Sequence, residues 1–302
     1  MNRAQRRAEF LLFLVTFVWG STFVITKAIL EQNSPLWYTA IRFGLATVIT
    51  FAVFYRKLIH YSAKTIWRGS VLGFFLLTGF IAQTIGLQYT TASKSAFFTG
   101  FLTILTPVFQ FLFYRWKHST TARAITLGNI LGVVLATVGL YMLTSPKGSA
   151  FNGGDLLSVL CAVLFACYIV YLDSLTGEPA KVQLTFIQFG FCAVGAGIAG
   201  LLFEHLQIIW STGFVISLGY LTLFATIITM MIQTRYQGDT TPTRAALIFA
   251  MEPVIAGILA YLIRGEVIGV VGVIGGCVIV FGLLTSELSE LSAILKKEIF
   301  AS

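Results

Sequence analysis

Charge is the scarce commodity in this chain. Asp, Glu, Lys and Arg together make up 11% of 302 residues, against 57% hydrophobic residues and a mean hydropathy of +0.88. That balance excludes an ordinary soluble domain, where about a quarter of residues are charged. Histidine occurs three times, at His60, His118 and His205, each in a loop or at a span end and none with a second histidine at metal-ligand spacing, so no metal site is expected. The four cysteines, Cys161, Cys167, Cys192 and Cys277, show no paired redox or metal spacing and read as packing residues. No phosphate-binding loop, nucleophile elbow or zinc-protease motif is present, which argues against an ATP-driven pump and a hydrolase. No cofactor is expected.

What fills the chain instead is long apolar runs. Crossing the hydrocarbon core takes about 20 mostly apolar residues, and ten runs qualify: 10–31, 35–55, 68–88, 94–114, 123–144, 155–173, 183–203, 212–234, 242–263 and 267–286. The first is Arg-rich at its start but runs on to Lys27 with no small-residue cleavage site, and it reads as a retained span. The expected fold class is an all-α membrane protein of ten transmembrane helices.

The second half echoes the first. Ile41-Arg42-Phe43-Gly44 matches Ile187-Gln188-Phe189-Gly190, Gly73 matches Gly219 and Thr106-Pro107-Val108 matches Glu252-Pro253-Val254, all at one offset; nearer the end Gly132 and Gly139 fall on Gly275 and Gly282. A repeat with an odd number of spans must insert upside down relative to its copy, the architecture typical of secondary transporters. The expected organisation is a first repeat at 1–147, an inverted second repeat at 148–288 and a cytoplasmic tail at 289–302, whose alternating leucines and charges suit a short surface helix.

A formal net charge of +8 would suggest nucleic acid in a soluble protein, but here the basic residues trace topology. With a cytoplasmic N-terminus the inside segments hold Arg3, Arg6, Arg7, Arg56, Lys57, Lys64, Arg68, Arg115, Lys117, Arg123, Lys181, Arg235, Arg244, Lys296 and Lys297, while Lys94, Lys147 and Arg264 lie outside. That bias predicts both termini inside a multi-pass protein of the cytoplasmic membrane, with the bilayer and a small-molecule substrate as partners and no nucleic acid.

A polar side chain facing lipid is costly, so polar positions mark inward faces. Span 94–114 carries Ser95, Thr99, Thr103, Thr106 and Gln110 on one helical face, and span 212–234 carries Thr222, Thr226, Thr229 and Gln233. Span 10–31 adds Trp19, Thr22, Phe23, Thr26 and Lys27. These stripes line a cavity, or their hydroxyls bond their own helices and glue neighbours.

Glu252 falls near the middle of its span, followed by Pro253; Pro107 occupies the matching place in the first half, and a bent or broken helix is expected at both. The acid acts in transport, or it is a structural acid, protonated or paired with Lys27 or Arg42. Arg42, about two turns into its span with the polar partner Gln188, is a candidate for a substrate carboxylate; Gln83 is a weaker candidate of the same kind. Glycines at Gly128, Gly132, Gly272 and Gly276 read as close helix packing.

The segment Phe17-Val18-Trp19-Gly20-Ser21-Thr22-Phe23, the stretch from Pro35 to Arg42-Phe43, Gln88 to Ala96, and Thr241-Pro242-Thr243-Arg244-Ala245-Ala246-Leu247 running into Met251-Glu252-Pro253-Val254 resemble, in order and in two copies, the EamA branch of the drug/metabolite transporter superfamily. The resemblance spans about residues 10 to 287. It implies an inverted-repeat carrier whose cavity is built by spans 1, 3, 4, 6, 8 and 9, with spans 2 and 7 as gates and 5 and 10 peripheral. Arg115-Trp116-Lys117-His118 departs from the Gly-Glu pair such proteins often carry after span 4. The expected function is export of small metabolites such as amino acids by alternating access, with Trp19 and Phe23 as apolar contacts, Thr99, Thr103 and Thr226 as hydrogen-bonding groups, and Arg42 or Lys27 as an outer cation. The alternatives are a sugar-phosphate or nucleotide-sugar exchanger, an embedded enzyme acting on lipid-linked substrates, and a passive pore.

Overall fold

A computed structural model describes residues 3–59, 61–116, 127–144, 151–265 and 269–301, with the side chains of 143–144 and 286–301 not described. His60, Lys117, His118, Arg123, Lys147 and Glu266 therefore lie outside the described residues, as do the side chains of Lys296 and Lys297. The described chain is helical throughout, without a strand. Its α-helices are α1 (Arg3–Leu30), α2 (Pro35–Phe54), α3 (Ala63–Tyr89), α4 (Ala92–Gly100), α5 (Leu102–Trp116), α6 (Leu127–Thr144), α7 (Gly153–Asp173), α8 (Lys181–Phe203), α9 (Thr212–Thr222), α10 (Thr229–Tyr236), α11 (Pro242–Phe249), α12 (Glu252–Arg264) and α13 (Val270–Ala301). Among the described residues, eight continuous or nearly continuous helical stretches are long and apolar enough to cross a membrane, and two shorter apolar helices cover Leu127–Met142 and Val270–Thr285.

The ends of these helices are written in the sequence. Ser62, Thr91, Ser211 and Thr241 each accept a backbone N–H as N-caps, and Asn152 with Asp155 forms a capping box. Pro35, Pro242 and Pro253 occupy first-turn positions, where the missing N–H costs nothing. Gly265 closes α12 at φ 67°, a conformation only glycine adopts without strain.

Three expected spans are not single helices. Residues 94–114 divide into α4 and α5 at Phe101, and 242–263 divide into α11 and α12 at Ala250–Met251. Between α9 and α10 the backbone winds as a π-helix over Leu223–Ile228. Pro107 is not itself the break: it lies inside α5, more than a turn beyond Phe101. Proline disturbs a helix upstream, at the carbonyl four residues back, here that of Thr103 inside α5, so the break at Phe101 lies beyond the reach of the ring itself. The helix α13 runs unbroken from Val270 to Ala301, through the expected tail. From Leu283 to Ala301 no glycine or proline interrupts a run rich in Leu, Glu, Lys and Ala, all good helix formers.

Helices pack in a reciprocal pattern. α2 lies along α8 antiparallel, with Phe43 against Phe189, Phe51 against Phe186 and Gly200 under the Trp37 ring. α6 lies against α13 so closely that a Cβ on Gly139 would stand 2.6 Å from the Gly275 carbonyl oxygen, and one on Gly282 would stand 2.8 Å from that of Gly132. Exchanging each glycine for its repeat partner turns one contact into the other. The two broken helices cross antiparallel, α4 on α12 and α11 on α5, tied by Thr103 Oγ1 donating to the Ala246 carbonyl at 3.1 Å and Thr243 Oγ1 donating to Gln110 Oε1 at 2.8 Å.

Candidate functional site

Between these helices lies a cavity in which about 50 Å³ admits the centre of a water molecule. That is room for a few waters only. α1 contributes Trp19 and Thr22, α2 Arg42, α3 Leu76, Phe80 and Gln83, and α5 Leu102. The opposite wall is Phe165, Tyr168 and Ile169 of α7, Met230 and Gln233 of α10, Phe249 of α11 and Glu252 of α12. A smaller hollow beside it is lined by Thr22, Phe23, Thr26, Arg42, Phe80, Gln83, Thr84 and Leu87.

The π segment organises one side of the cavity. Its wide turn lets the Thr226 hydroxyl donate to the carbonyl of Leu221, five residues back, at 2.9 Å. The carbonyl of Ala225 points sideways and accepts from Trp19 Nε1 at 3.2 Å and Arg42 Nη2 at 3.4 Å. Trp19 also donates to Thr229 Oγ1 at 3.0 Å. Arg42 Nε donates to Thr226 Oγ1 at 2.7 Å and Nη1 to the Tyr38 hydroxyl at 3.3 Å, while the guanidinium carbon stands 5.1 Å from the Phe80 ring centre. This buried cation is thus held by neutral acceptors and an aromatic face, with no carboxylate partner among the described residues. π-Bulges of this kind frequently occur at functional sites.

Glu252 is the first residue of α12, a helix that begins part-way through its span, so its carboxyl sits where the positive end of the helix dipole favours an anion. No hydrogen bond or ion pair reaches that carboxyl among the described residues, so neither Lys27 nor Arg42 pairs with it. Pro253 follows in the first turn, and a Cβ on Gly100 would lie 3.4 Å from its Cγ, so the breaks of the two interrupted helices stand side by side.

Of the residues singled out from sequence, Trp19, Thr22, Arg42, Gln83 and Glu252 come together around the main cavity, and Phe23 lines the smaller one. Lys27 is elsewhere: its ammonium donates to the carbonyls of Leu87 and Gln88 at the C-terminal end of α3. Thr103 ties α5 to α11, Thr226 stands behind Arg42, and Thr99 is buried; none is among the lining residues. Phe80, Phe165, Tyr168 and Phe249 were missed, because aromatic residues also stand on the exposed surface, as Phe10, Phe17, Phe51 and Trp67 do. The Tyr168 hydroxyl donates to Oε1 of Gln188, the repeat partner of Arg42, at 2.9 Å, a contact no local pattern announces.

The chain matches the EamA-like transporter family over residues 6–145 and again over 152–287. It is similar to a transporter of Archaeoglobus fulgidus, 29% identical over 93% of this chain and 86% of the relative. It is also similar to a protein of Chlamydia muridarum named an S-adenosylmethionine/S-adenosylhomocysteine transporter, 25% identical over 86% of this chain and 85% of the relative. An Escherichia coli K12 protein named as an inner membrane transporter is 23% identical over 92% and 90%. A crystal structure superposes with a TM-score of 0.74 at 16% identity, covering 94% of this chain and 97% of its own, a likeness of fold.

Proposed function

Because the chain belongs to the EamA-like transporter family, and is thus a multi-pass membrane transporter, we propose that it is a ten-span secondary carrier built from two inverted five-helix repeats, which moves a zwitterionic metabolite by alternating access. The reciprocal α6–α13 glycine contacts and the antiparallel crossing of the two broken helices support the inversion. The bias of basic residues supports cytoplasmic termini and a place in the cytoplasmic membrane.

One observation carries the reading of the cargo: an aromatic-walled space receives a guanidinium, Arg42, and a carboxyl, Glu252, and among the described residues the first has no acidic partner and the second no donor. Such a space suits a solute with its own carboxylate and cation, and flat rings such as Trp19 and Phe249 suit an aromatic base. S-adenosylmethionine and S-adenosylhomocysteine, the cargoes for which the Chlamydia relatives are named, combine these groups. An amino acid is the second reading, favoured by the small volume open to water in this conformation.

The test is counterflow of labelled S-adenosylmethionine, S-adenosylhomocysteine and a panel of amino acids into liposomes holding the purified protein. Saturable exchange of the adenosyl pair is expected. Exchange confined to amino acids would replace the cargo assignment, and unsaturable flux would replace the carrier with a pore. Glu252→Gln is expected to weaken transport of both cargoes, which share an α-ammonium, and to weaken that of the sulfonium form roughly tenfold more, because it brings a second positive charge to the carboxylate.

A further inference from the structure

Two buried ion pairs stand at the ends of the cavity-forming helices, and they are copies of one device. Arg244 Nη2 lies 2.7 Å from Glu9 Oε2, with side chains 3% and 8% exposed. Lys94 Nζ lies 2.7 Å from Asp155 Oδ2, with side chains 12% and 0% exposed. Glu9 and Asp155 hold corresponding places near the starts of α1 and α7, at the offset that relates Arg42 to Gln188. The cations are the third residues of α4 and α11, each within the same short pattern, Thr90-Thr91-Ala92-Ser93-Lys94 and Thr240-Thr241-Pro242-Thr243-Arg244. The second threonine caps the helix by accepting the N–H of the cationic residue, at 3.1 Å for Lys94 and 3.2 Å for Arg244. The first donates its hydroxyl to the acid, Thr90 to Asp155 at 2.6 Å and Thr240 to Glu9 at 2.8 Å.

The two copies occupy opposite ends of the molecule. α1 starts at Glu9's end and finishes at the other, where Lys27 meets the last turn of α3, and that same last turn meets Asn152 at the start of α7. Each pair joins an unbroken helix to the outer half of a broken one, and the cavity lies between the pairs.

Neither pair is what a static scaffold needs. A cation in the first turn of a helix opposes the helix dipole, and a buried ion pair is seldom more stabilising than apolar packing in the same space. A charge pair does hold together a contact that must also open to water, because both ions are well solvated once apart. With both pairs closed, the space between them has room for only a few waters.

We propose that Glu9–Arg244 and Asp155–Lys94 are the two gate latches of the transport cycle, each breaking when the cavity opens at its own end. This rests on the alternating-access reading above. Removing one latch releases its own gate and shifts the population toward the state open at that end.

The experiment places a reporter cysteine at Thr22 in protein whose Cys167 and Cys277 are replaced by serine. A small membrane-impermeant thiol reagent is then applied from one face of sealed vesicles at a time. Glu9→Gln is expected to speed labelling from the Glu9 face about tenfold and slow it from the other, and Asp155→Asn to do the reverse. Thr240→Val and Thr90→Val, which remove only the hydroxyl bonded to each acid, are expected to shift labelling in the same directions by less, and they keep the test open should a charge variant misfold. Faster labelling at the mutated end with no slowing at the other would keep the latches and overturn alternating access. Unchanged labelling, or equal change at both faces, in variants that elute as monodisperse protein would overturn the latches.

Discussion

Arg42 shows what a single side chain can be asked to do inside a membrane. Its three hydrogen bonds go to Thr226, Tyr38 and a carbonyl of the π segment, so the guanidinium is fixed without being neutralised. Thr226→Val removes the shortest of these contacts. A hydrogen bond to a charged group contributes about 1.5–3 kcal/mol to stability, so the melting temperature in detergent is expected to fall, and half-saturation in counterflow to rise roughly tenfold as the guanidinium loses its fixed position. A loss of stability with unchanged half-saturation would mean that Thr226 only holds the helices together. At this scale the sequence was informative wherever a polar group interrupts an apolar run, as with Arg42, Gln83 and Glu252. It was less so for threonine, whose hydroxyl can turn onto its own helix. Thr106 donates to the Leu102 carbonyl and Thr22 to that of Trp19, so a stripe of hydroxyls need not be a stripe of ligands. Phe80 and Tyr168 were hidden for another reason: 27 Phe and 11 Tyr give no contrast between cavity and lipid.

Among the elements, α6 and α13 meet backbone to backbone, and this contact is sensitive to any added side chain. Gly139→Leu and Gly282→Leu are each expected to destabilise the protein by about 1–3 kcal/mol through overpacking. Thermal unfolding in detergent should fall by similar amounts for both, since they occupy equivalent places; a loss in only one would break the equivalence. The stretch after α8 is tied to the start of α2 through Glu204 Oε2, which accepts the Leu36 N–H at 3.0 Å. Burial pushes the Glu204 carboxyl above its ordinary range, with the Leu36 and Trp37 N–H groups opposing that shift. The folded state therefore binds this proton more tightly than the unfolded state. Its contribution to stability rises as pH falls through the window between the ordinary and the raised value, and Glu204→Gln should flatten that part of a melting-temperature profile.

Repeats and apolar runs made the span positions legible, and Pro253 the break beside it, but two local events were not. The Phe101 break precedes Pro107 by more than a turn, whereas the Ala250–Met251 break almost touches Pro253, so matching prolines do not mark matching breaks. The π segment carries no proline or glycine at all. It is defined by where Arg42 and Trp19 find acceptors, contacts far apart in sequence.

Taken whole, the molecule carries a charge pair toward each end in the conformation described, with about 50 Å³ open to water in the cavity between. A carrier at rest in this form should not leak. Proteoliposomes without cargo are expected to hold a sodium gradient as long as protein-free vesicles do, and rapid collapse of that gradient would support a pore. The glycine seam between α6 and α13 has one more consequence. Because the surface α6 offers α13 is the counterpart of the one it receives, a chain consisting of only one half would already carry both sides of the joint. On the inverted-repeat reading proposed above, two such chains would dimerise through it, and the seam keeps within one chain the geometry of a two-fold interface.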